Sequence, residues 1–367
     1  MLAVILRECK ILLTKRLLVF IVLLGAASAY SLLIGNLYSG HVVTQIPVIV
    51  CDLEDSAQSR DVIRAIDDVD TYAVTVIDDQ QAGEEAIERG EAAVMVVIPP
   101  DFSQHLARGE QAPIAVISDG TNTLQQGYAL NNISEVIGTM NAAYAAKYYA
   151  VQGITNIPPV PVQMSIRVGD NPSNSYALFY LYGVMLTAAQ IGIMLAIATS
   201  VHQDKHTIYH TVSAIAAKEI LYAVLSLASA AIGLGIIVGV WHMPFKGSLL
   251  PFFGLYTCFA FVVMNMAVLV ALYFKTAIAM VQCLVFYALP AFLLSGYIWP
   301  NLGMIPLWNV LSYAIPLHYI MMDFRSLALT GTAPQAAQDM ILLGISAVVV
   351  IGLNVLVLRM RKNHIKA

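Results

Sequence analysis

The uncharged apolar segment from Leu17 to Gly35 is separated by a long polar stretch from the next such segment, which begins at about Tyr176. A helix needs about 20 mostly apolar residues to cross the hydrocarbon core of a bilayer. Backbone at that depth must satisfy its own hydrogen bonds, so a spanning segment of this kind is helical. The spacing therefore predicts one membrane helix, a large domain outside the membrane, and then a cluster of further membrane helices.

The charged residues are sorted along the chain in the same way. Residues 36–175 contain 18 Asp and Glu against 6 Lys and Arg, which leaves 5 acidic and 13 basic residues for the rest of the sequence. The chain as a whole is 59% hydrophobic and 11% charged, with a mean hydropathy of +0.73. Such values are far from those of soluble domains. We therefore expect a membrane protein with an acidic domain outside the bilayer.

Six segments are long and apolar enough to span the membrane: Leu17–Gly35, Tyr176–Ser200, Ile220–Trp241, Leu250–Phe274, Thr276–Ile298 and Met340–Leu358. Lys and Arg in short loops tend to stay in the cytoplasm. With six spans, 11 of the 13 basic residues outside the acidic stretch lie on one side, the exceptions being Lys246 and Arg325. The sequence thus predicts an α-helical polytopic protein of the cell (inner) membrane with both termini cytoplasmic and residues 36–175 extracytoplasmic.

The segment before the first span is amphipathic. Apolar residues such as Leu2, Ile5 and Leu12 share one helical face, while Arg7 and Lys10 lie elsewhere, as in a helix on the inner membrane surface. The apolar run that follows is longer than the core of a cleaved signal peptide, which favours a retained anchor. The predicted parts are residues 1–16 as interfacial helix, 17–35 as first span, 36–175 as outer domain, 176–358 as five-helix bundle, and 359–367 as cytoplasmic tail. Within the bundle we expect a cytoplasmic loop at 201–219 and an outer segment at 299–325, for which the resemblance described below implies a re-entrant structure.

The acidic stretch alternates strand-like and helix-like patterns. The predicted strands are Ile46–Cys51, Tyr72–Ile77, Ala93–Ile98 and Ile114–Ser118, and the predicted helices are Ala57–Ile66, Ala82–Arg89 and about Thr123–Ala150. Alternation of this kind favours a small α/β domain. Cys51 is its one cysteine, so no disulfide can form within it and the hydrophobic core must stabilise it.

Several short motifs stand out along the sequence. The segment from Asp52 to Arg60, directly after the first predicted strand, is similar to the "D-x-D-x-S-x-x-S-R" motif that follows the first strand of the outer domain in ABC-2-type exporter permeases. Further matches occur in the family's order: Arg89-Gly90-Glu91, Ile98 to Ser103, Leu106 to Gly109, Asp119 to Asn122, Leu294 to Pro300, Met304-Ile305-Pro306, Leu311-Ser312-Tyr313, Pro316 to Tyr319, and Arg325. From the residues alone, Ser56 or Asp55 is well placed to cap the helix that starts near Ala57.

The resemblance implies a permease subunit of an ATP-driven exporter that moves a hydrophobic or amphipathic molecule outward. Its expected partners are a separate ABC ATPase subunit that binds ATP and Mg, a second permease copy or close homologue, and the lipid bilayer. A periplasmic adaptor protein is a further possible partner, and no nucleic acid is expected. A loop after the second span would dock on the ATPase. The coupling candidates are His202, Gln203, Asp204, Lys205, His206, Thr207 and Tyr209, of which Asp204 and Thr207 match the family's "E-x-E-x-G-T-x-E" pattern.

The resemblance also places a pathway between the second and fifth spans of two protomers, and an outer gate of short re-entrant helices. The pathway candidates are Tyr180, Gln190, Gln282, Phe286 and Tyr287, although packing against lipid or protein remains an alternative for each. The gate candidates are Gly296, Pro300, Pro306, Pro316, Tyr319 and Arg325. The prolines exclude one uninterrupted helix here. For Arg325 and the nearby Asp323, an ion pair, a lipid headgroup contact and substrate binding all stay open.

Other function classes are disfavoured by what the sequence lacks. It has no G-x-x-x-x-G-K-[ST] phosphate loop, so we expect no enzyme activity and no cofactor in this chain. The predicted spans contain no charged residue for an ion relay and few polar ones, namely Gln190, Asn265, Gln282 and Asn354. His202, His206 and His210 are spaced four residues apart and so share a helix face. Metal binding, a pH-sensitive contact and plain interfacial packing are the alternatives for them. We expect packing and predict no metal site. A non-transporting receptor or assembly scaffold of the same topology stays as the alternative function.

Overall fold

The computed structural model describes residues 2–38, 45–118, 123–151, 176–204 and 212–366. Two compact units are formed, one by residues 1–41 with 168–367 and the other by residues 42–167. The strands are β1 (Ile46–Asp52), β2 (Tyr72–Ile77), β3 (Val94–Ile98) and β4 (Ala115–Ser118). The helices are α1 (Leu2–Thr14), α2 (Leu17–Leu37), α3 (Ala57–Asp67), α4 (Gln80–Glu88), α5 (Phe102–Arg108), α6 (Thr123–Val151), α7 (Tyr176–Gln203), α8 (Val212–Gly239), α9 (Leu249–Tyr273), α10 (Ala277–Leu293), α11 (Pro306–Ser312), α12 (Pro316–Thr330) and α13 (Ala336–Lys366).

The second unit is an α/β fold around one four-stranded sheet. The strand order is β2-β1-β3-β4, in which β1 pairs in parallel with β2 and β3, and β4 pairs antiparallel with β3. Successive side chains of β1 alternate between two cores: Val48 and Val50 pack on the face shared with α3 and α6, and Ile49 and Cys51 on the opposite face with α4. The predicted strands and helices lie within one or two residues of the expected positions, and α5 is a helix that the sequence analysis did not predict.

A network of short-range hydrogen bonds explains the acidic motif after β1. Ser56 accepts from the Ser59 backbone N–H at 3.0 Å, and the Ser59 side chain accepts from the Ser56 N–H at 2.9 Å, which forms a capping box at the start of α3. The Asp52 carboxylate accepts from the Ser59 hydroxyl at 2.7 Å. Glu54 accepts from the backbone N–H and the hydroxyl of Ser103, in the first turn of α5. The motif therefore caps two helices, as the sequence indicated for Ser56.

The first unit is a bundle of helices in which α7 and α9 are the most buried. α7 packs against α2, α8, α9 and α10, whereas α2 and α13 leave most of their apolar surface exposed. Small residues allow close contact between these helices: a side chain added at Gly192 would meet Ala26, and one added at Gly233 would meet Ala27 and Met185, all at 3.1 Å. Exposed apolar helix faces of this kind are typical of lipid-facing surfaces.

Among the described residues, five helices are long and apolar enough to cross a membrane: α2, α7, α8, α9 and α13. The predicted fifth span corresponds to α10, a shorter apolar helix that contains Pro290 and ends at Leu293. Two of the polar span residues pair between helices, since the Asn354 amide donates to the Asn265 side-chain and backbone oxygens at 3.0 Å. A sixth span remains a prediction.

Short helices fill the chain between α10 and α13, as the prolines predicted. Pro300 precedes a 3₁₀ turn at Asn301–Gly303, Pro306 occupies the first position of α11, and Pro316 that of α12. Proline lacks a backbone N–H and is pre-set for the first helical turn, so each of these residues favours a new helix rather than the continuation of the last.

Candidate functional site

The predicted coupling segment begins at the end of α7. His202 and Gln203 are its last two residues and Asp204 follows directly, while Lys205, His206, Thr207, Tyr209 and His210 lie outside the described residues. The His202 ring Nδ1 is 3.4 Å from the Ala271 carbonyl oxygen of α9. In the part of the chain that the structure describes, no group of three or more His, Cys, Asp or Glu could hold a metal ion.

Asp204 belongs to a cluster of charged side chains from four helices. Its carboxylate lies 2.6 Å from the Lys218 Nζ of α8 and 2.9 Å from a guanidinium nitrogen of Arg16, which stands between α1 and α2. Glu8 of α1 completes the arrangement, at 3.1 Å from Arg16 and 3.2 Å from Lys218. We call the set of Glu8, Arg16, Ser200, Asp204, Lys218 and Tyr222 the ionic cluster.

Two hydroxyl groups connect the charged members of this cluster. The Ser200 hydroxyl donates to Glu8 and accepts from Lys218 at 2.7 Å and from Arg16 at 3.1 Å. The Tyr222 hydroxyl donates to Glu8 at 3.2 Å. Arg16 and Lys218 each contact both Glu8 and Asp204. The cluster therefore connects α1, α2, α7 and α8.

Helical periodicity explains why these side chains meet. Ser200 and Asp204 are four residues apart at the end of α7, and Lys218 and Tyr222 are four apart near the start of α8. Residues at this spacing lie on the same helix face. In α1 the same spacing turns Glu8 and Leu12 toward the protein, where both are buried.

The cluster is buried but balanced in charge. The exposed side-chain fractions are 3% for Glu8, 4% for Lys218, 9% for Arg16 and 21% for Asp204. Burial by itself would raise the pKa of Asp204, but the hydrogen bond and charge of Lys218, together with Arg16, hold that pKa below its ordinary value. Two cations facing two anions at a largely buried site satisfy one another, whereas removing one partner leaves an uncompensated charge.

The sequence prediction included Asp204 but missed the rest of this cluster. It placed Lys218 and Glu219 in the cytoplasmic loop before a third span at Ile220–Trp241, whereas in the structure α8 begins at Val212 and both residues are buried on it. Glu8 is the one acidic residue before Asp52, on a helix otherwise rich in basic and apolar residues. That isolated acid and the four-residue spacings were the signals that could have indicated the cluster.

The five pathway candidates do not lie on one common surface. Gln282 and Phe286 are four residues apart on an exposed face of α10, beside an open cavity of about 710 Å³ that Val281, Cys283 and Val285 also line. Gln190 is buried within the bundle, and among the described residues neither polar atom of its amide has a hydrogen-bond partner. Tyr180 packs edge-on against Phe292 at 6.1 Å, and the Tyr287 hydroxyl is buried.

The gate candidates lie in the segment of short helices. Gly296 has a φ of +83°, and a side chain there would come within 2.3 Å of Asn301, so this turn requires glycine. The Tyr319 hydroxyl donates to the Tyr313 carbonyl at 2.7 Å.

The ion pair considered for Asp323 and Arg325 is not formed. The two residues are two positions apart on α12 and so point to different faces.

Comparison with known proteins identifies the family. The family described as "ABC-2 family transporter protein" matches residues 15–356. A relative from Escherichia coli strain K12, "Probable multidrug ABC transporter permease YbhS", is 28% identical over 299 residues, or 76% of each chain. Another from the same strain, "Probable multidrug ABC transporter permease YbhR", is 24% identical over 232 residues, so the match spans 60% of each chain. The chain, with its five long apolar helices and a family match across most of its length, belongs to the ABC-2 family of transporter proteins and is a multi-pass membrane protein.

Proposed function

We propose that this chain is the permease subunit of an ATP-driven exporter that moves a hydrophobic or amphipathic molecule outward across the cell membrane. In this proposal two copies, or one copy and a close homologue, associate with a separate ATPase that holds ATP and Mg. Six spans, with α10 as the fifth, put both termini in the cytoplasm and residues 36–175 outside. The ionic cluster is the observation that best supports the proposal, because it ties the start of the coupling loop to three other helices.

The cluster offers a mechanical route from the loop to the spans. Asp204 is the last described residue before residues 205–211, and it bonds directly to Arg16 and Lys218. A movement of the loop against the ATPase would shift Asp204, and the short charge-assisted bonds would transmit that shift to α1, α2 and α8. Such bonds favour discrete arrangements over continuous deformation, because breaking one without replacement leaves a buried charge unpaired.

The exposed face of α10 is the proposed lining of the pathway. Phe286 is 80% exposed and Gln282 lies one turn away, so this face combines a large apolar surface with one amide. A hydrophobic or amphipathic substrate fits such a lining, since apolar pockets with few polar groups bind that class of ligand. A second copy of the chain would enclose the cavity that one copy leaves open.

The test is to reconstitute the permease with its ATPase in liposomes and to measure both ATP hydrolysis and export of a lipophilic dye. Asp204→Asn keeps the shape of the side chain and removes its charge, at the member of the ionic cluster that is next to the coupling loop. We expect hydrolysis to continue while transport per ATP falls about tenfold, which corresponds to a coupling loss of about 1.4 kcal/mol. Asp61→Asn, at an exposed carboxylate of α3, is the matched control and should behave as the wild type.

One outcome would contradict the proposed function, and another would contradict only the role given to the ionic cluster. If no ATPase subunit associates with the chain, the receptor or scaffold alternative gains support. If the complex forms and transports, but Asp204→Asn leaves transport per ATP unchanged, the permease function stands and the ionic cluster is not its coupling point.

A further inference from the structure

Arg325 of α12 lies against two aromatic rings. Its guanidinium carbon is 5.5 Å from the ring centroid of Phe179, at the start of α7, and 5.0 Å from that of Tyr297. The two centroids are 5.4 Å apart. The three groups thus form a nearly equilateral triangle, in which the rings occupy one side of the guanidinium and hold it by cation–π attraction.

The aromatic platform under Arg325 is rigidly built. The Tyr297 side chain is 2% exposed, and its hydroxyl donates to the Phe179 carbonyl oxygen. Gly183, one helical turn after Phe179, leaves room for the Tyr297 ring, because a side chain there would come within 2.5 Å of it. The platform therefore fixes where the guanidinium lies, and reduces the entropy that Arg325 would lose on binding a partner.

The charge of Arg325 has no counter-ion in the described parts of the chain. No carboxylate oxygen there lies within 4.0 Å of the guanidinium, and no hydrogen bond from it is formed. Asp323, the nearest acid in sequence, is buried and points to another face of α12. A partly buried guanidinium with five N–H donors is costly unless an acceptor satisfies them, and its fork matches phosphate and carboxylate oxygens.

We propose that Arg325, oriented by Phe179 and Tyr297, binds the anionic headgroup, phosphate or carboxylate, of an amphiphilic molecule. Two sources share this chemistry: a lipid of the surrounding bilayer, and a free amphiphile that enters the protein. The proposal concerns binding and does not depend on ATP-driven transport, so it can fail or succeed separately from the proposed function.

The test measures binding to the purified full-length protein in two arms. In the first, the protein is placed in nanodiscs of phosphatidylcholine alone or with one third phosphatidylglycerol, and the shift in its thermal unfolding midpoint is recorded. In the second, dodecyl phosphate is titrated onto the protein in a neutral detergent, with dodecanol as the uncharged comparison. We expect Arg325→Gln to weaken binding of the anionic probe about tenfold or more, the loss typical of a charge-assisted hydrogen bond.

Variants separate binding from folding. Arg359→Gln, which removes an exposed arginine of α13, should leave anionic binding unchanged. Arg325→Lys keeps the charge but loses the planar fork, so it should fold and bind several-fold more weakly than wild type. If binding depends on Arg325 in the nanodisc arm, the ligand is a lipid of the bilayer. If it depends on Arg325 only in the dodecyl phosphate arm, the ligand is a free amphiphile. Equal binding by wild type, Arg325→Gln and Arg325→Lys in both arms would overturn the proposal.

Discussion

At the scale of single residues, the ionic cluster holds charge inside the helix bundle by pairing each charged group with groups of opposite charge. Glu8 and Lys218 are almost fully buried; Glu8 contacts four other members of the ionic cluster and Lys218 contacts three. A single neutral substitution there would cost about 3–5 kcal/mol, since the remaining charges lose a partner. Arg325 differs from this pattern, because aromatic rings rather than carboxylates surround it.

Glu54 gives a pH-dependent prediction at the same scale. Burial by itself would raise its pKa, but the Ser103 hydroxyl, Ser56 and the Ser103 N–H hold it below the ordinary value of 4.5. A group whose pKa is lowered on folding stabilises the fold above its unfolded pKa, and the contribution disappears as the pH falls through the folded value. We expect Glu54→Gln to lower the thermal unfolding midpoint at pH 7 and the difference to shrink below pH 4.5.

Circular dichroism of the full-length protein between pH 3 and 7 measures this effect. Glu84→Gln, at an exposed position of α4, is the control and should show no comparable pH-dependent difference. A Glu54→Gln deficit that stayed constant across the whole range would mean that shape, rather than charge, makes the contact with Ser103 stabilising.

At the scale of elements, local sequence accounts for where most helices and strands begin and end. Ser56 and Asp79 accept hydrogen bonds at the starts of α3 and α4, and Gly109 and Gly331 end α5 and α12 with positive φ. The predicted third span leaves out the first turns of α8, because Lys218 and Glu219 look like loop residues when only hydropathy is considered. Their burial depends on partners in other helices, which a local window does not contain.

Close helix packing gives a second prediction, at the scale of elements. In α8, Gly233 touches Ala27 and Met185, whereas Gly235 has no atom within 4 Å of an added side chain. Gly233→Val should separate α8 from α2 and α7 and destabilise the bundle by about 1–3 kcal/mol, the usual cost of overpacking. Gly235→Val is the matched control, since it adds the same atoms to the same helix in open space. Thermal unfolding in detergent compares the two, and equal midpoints would contradict the packing argument.

At the scale of the whole molecule, α10 is where the proposed second copy of the chain would bind. Its exposed face includes Phe286 and borders the cavity of about 710 Å³. If a second copy covers this face, Phe286→Ala should weaken association several-fold, because a buried aromatic side chain dominates interface energetics. Fluorescence energy transfer between labelled copies in liposomes measures it. Ile345→Ala, on the exposed apolar face of α13, should leave association unchanged.

The sequence by itself determined the class of the protein, the apolar helices and the alternating strands and helices of the α/β unit, because hydropathy and local periodicity are properties of neighbouring residues. It also indicated the prolines that begin the short helices. Only the tertiary structure decided which charges meet: Ser200 and Glu8 are 192 positions apart in the chain and yet share a hydrogen bond. The physical reason is that a buried charge is stabilised by partners brought from distant helices, and no local pattern specifies them.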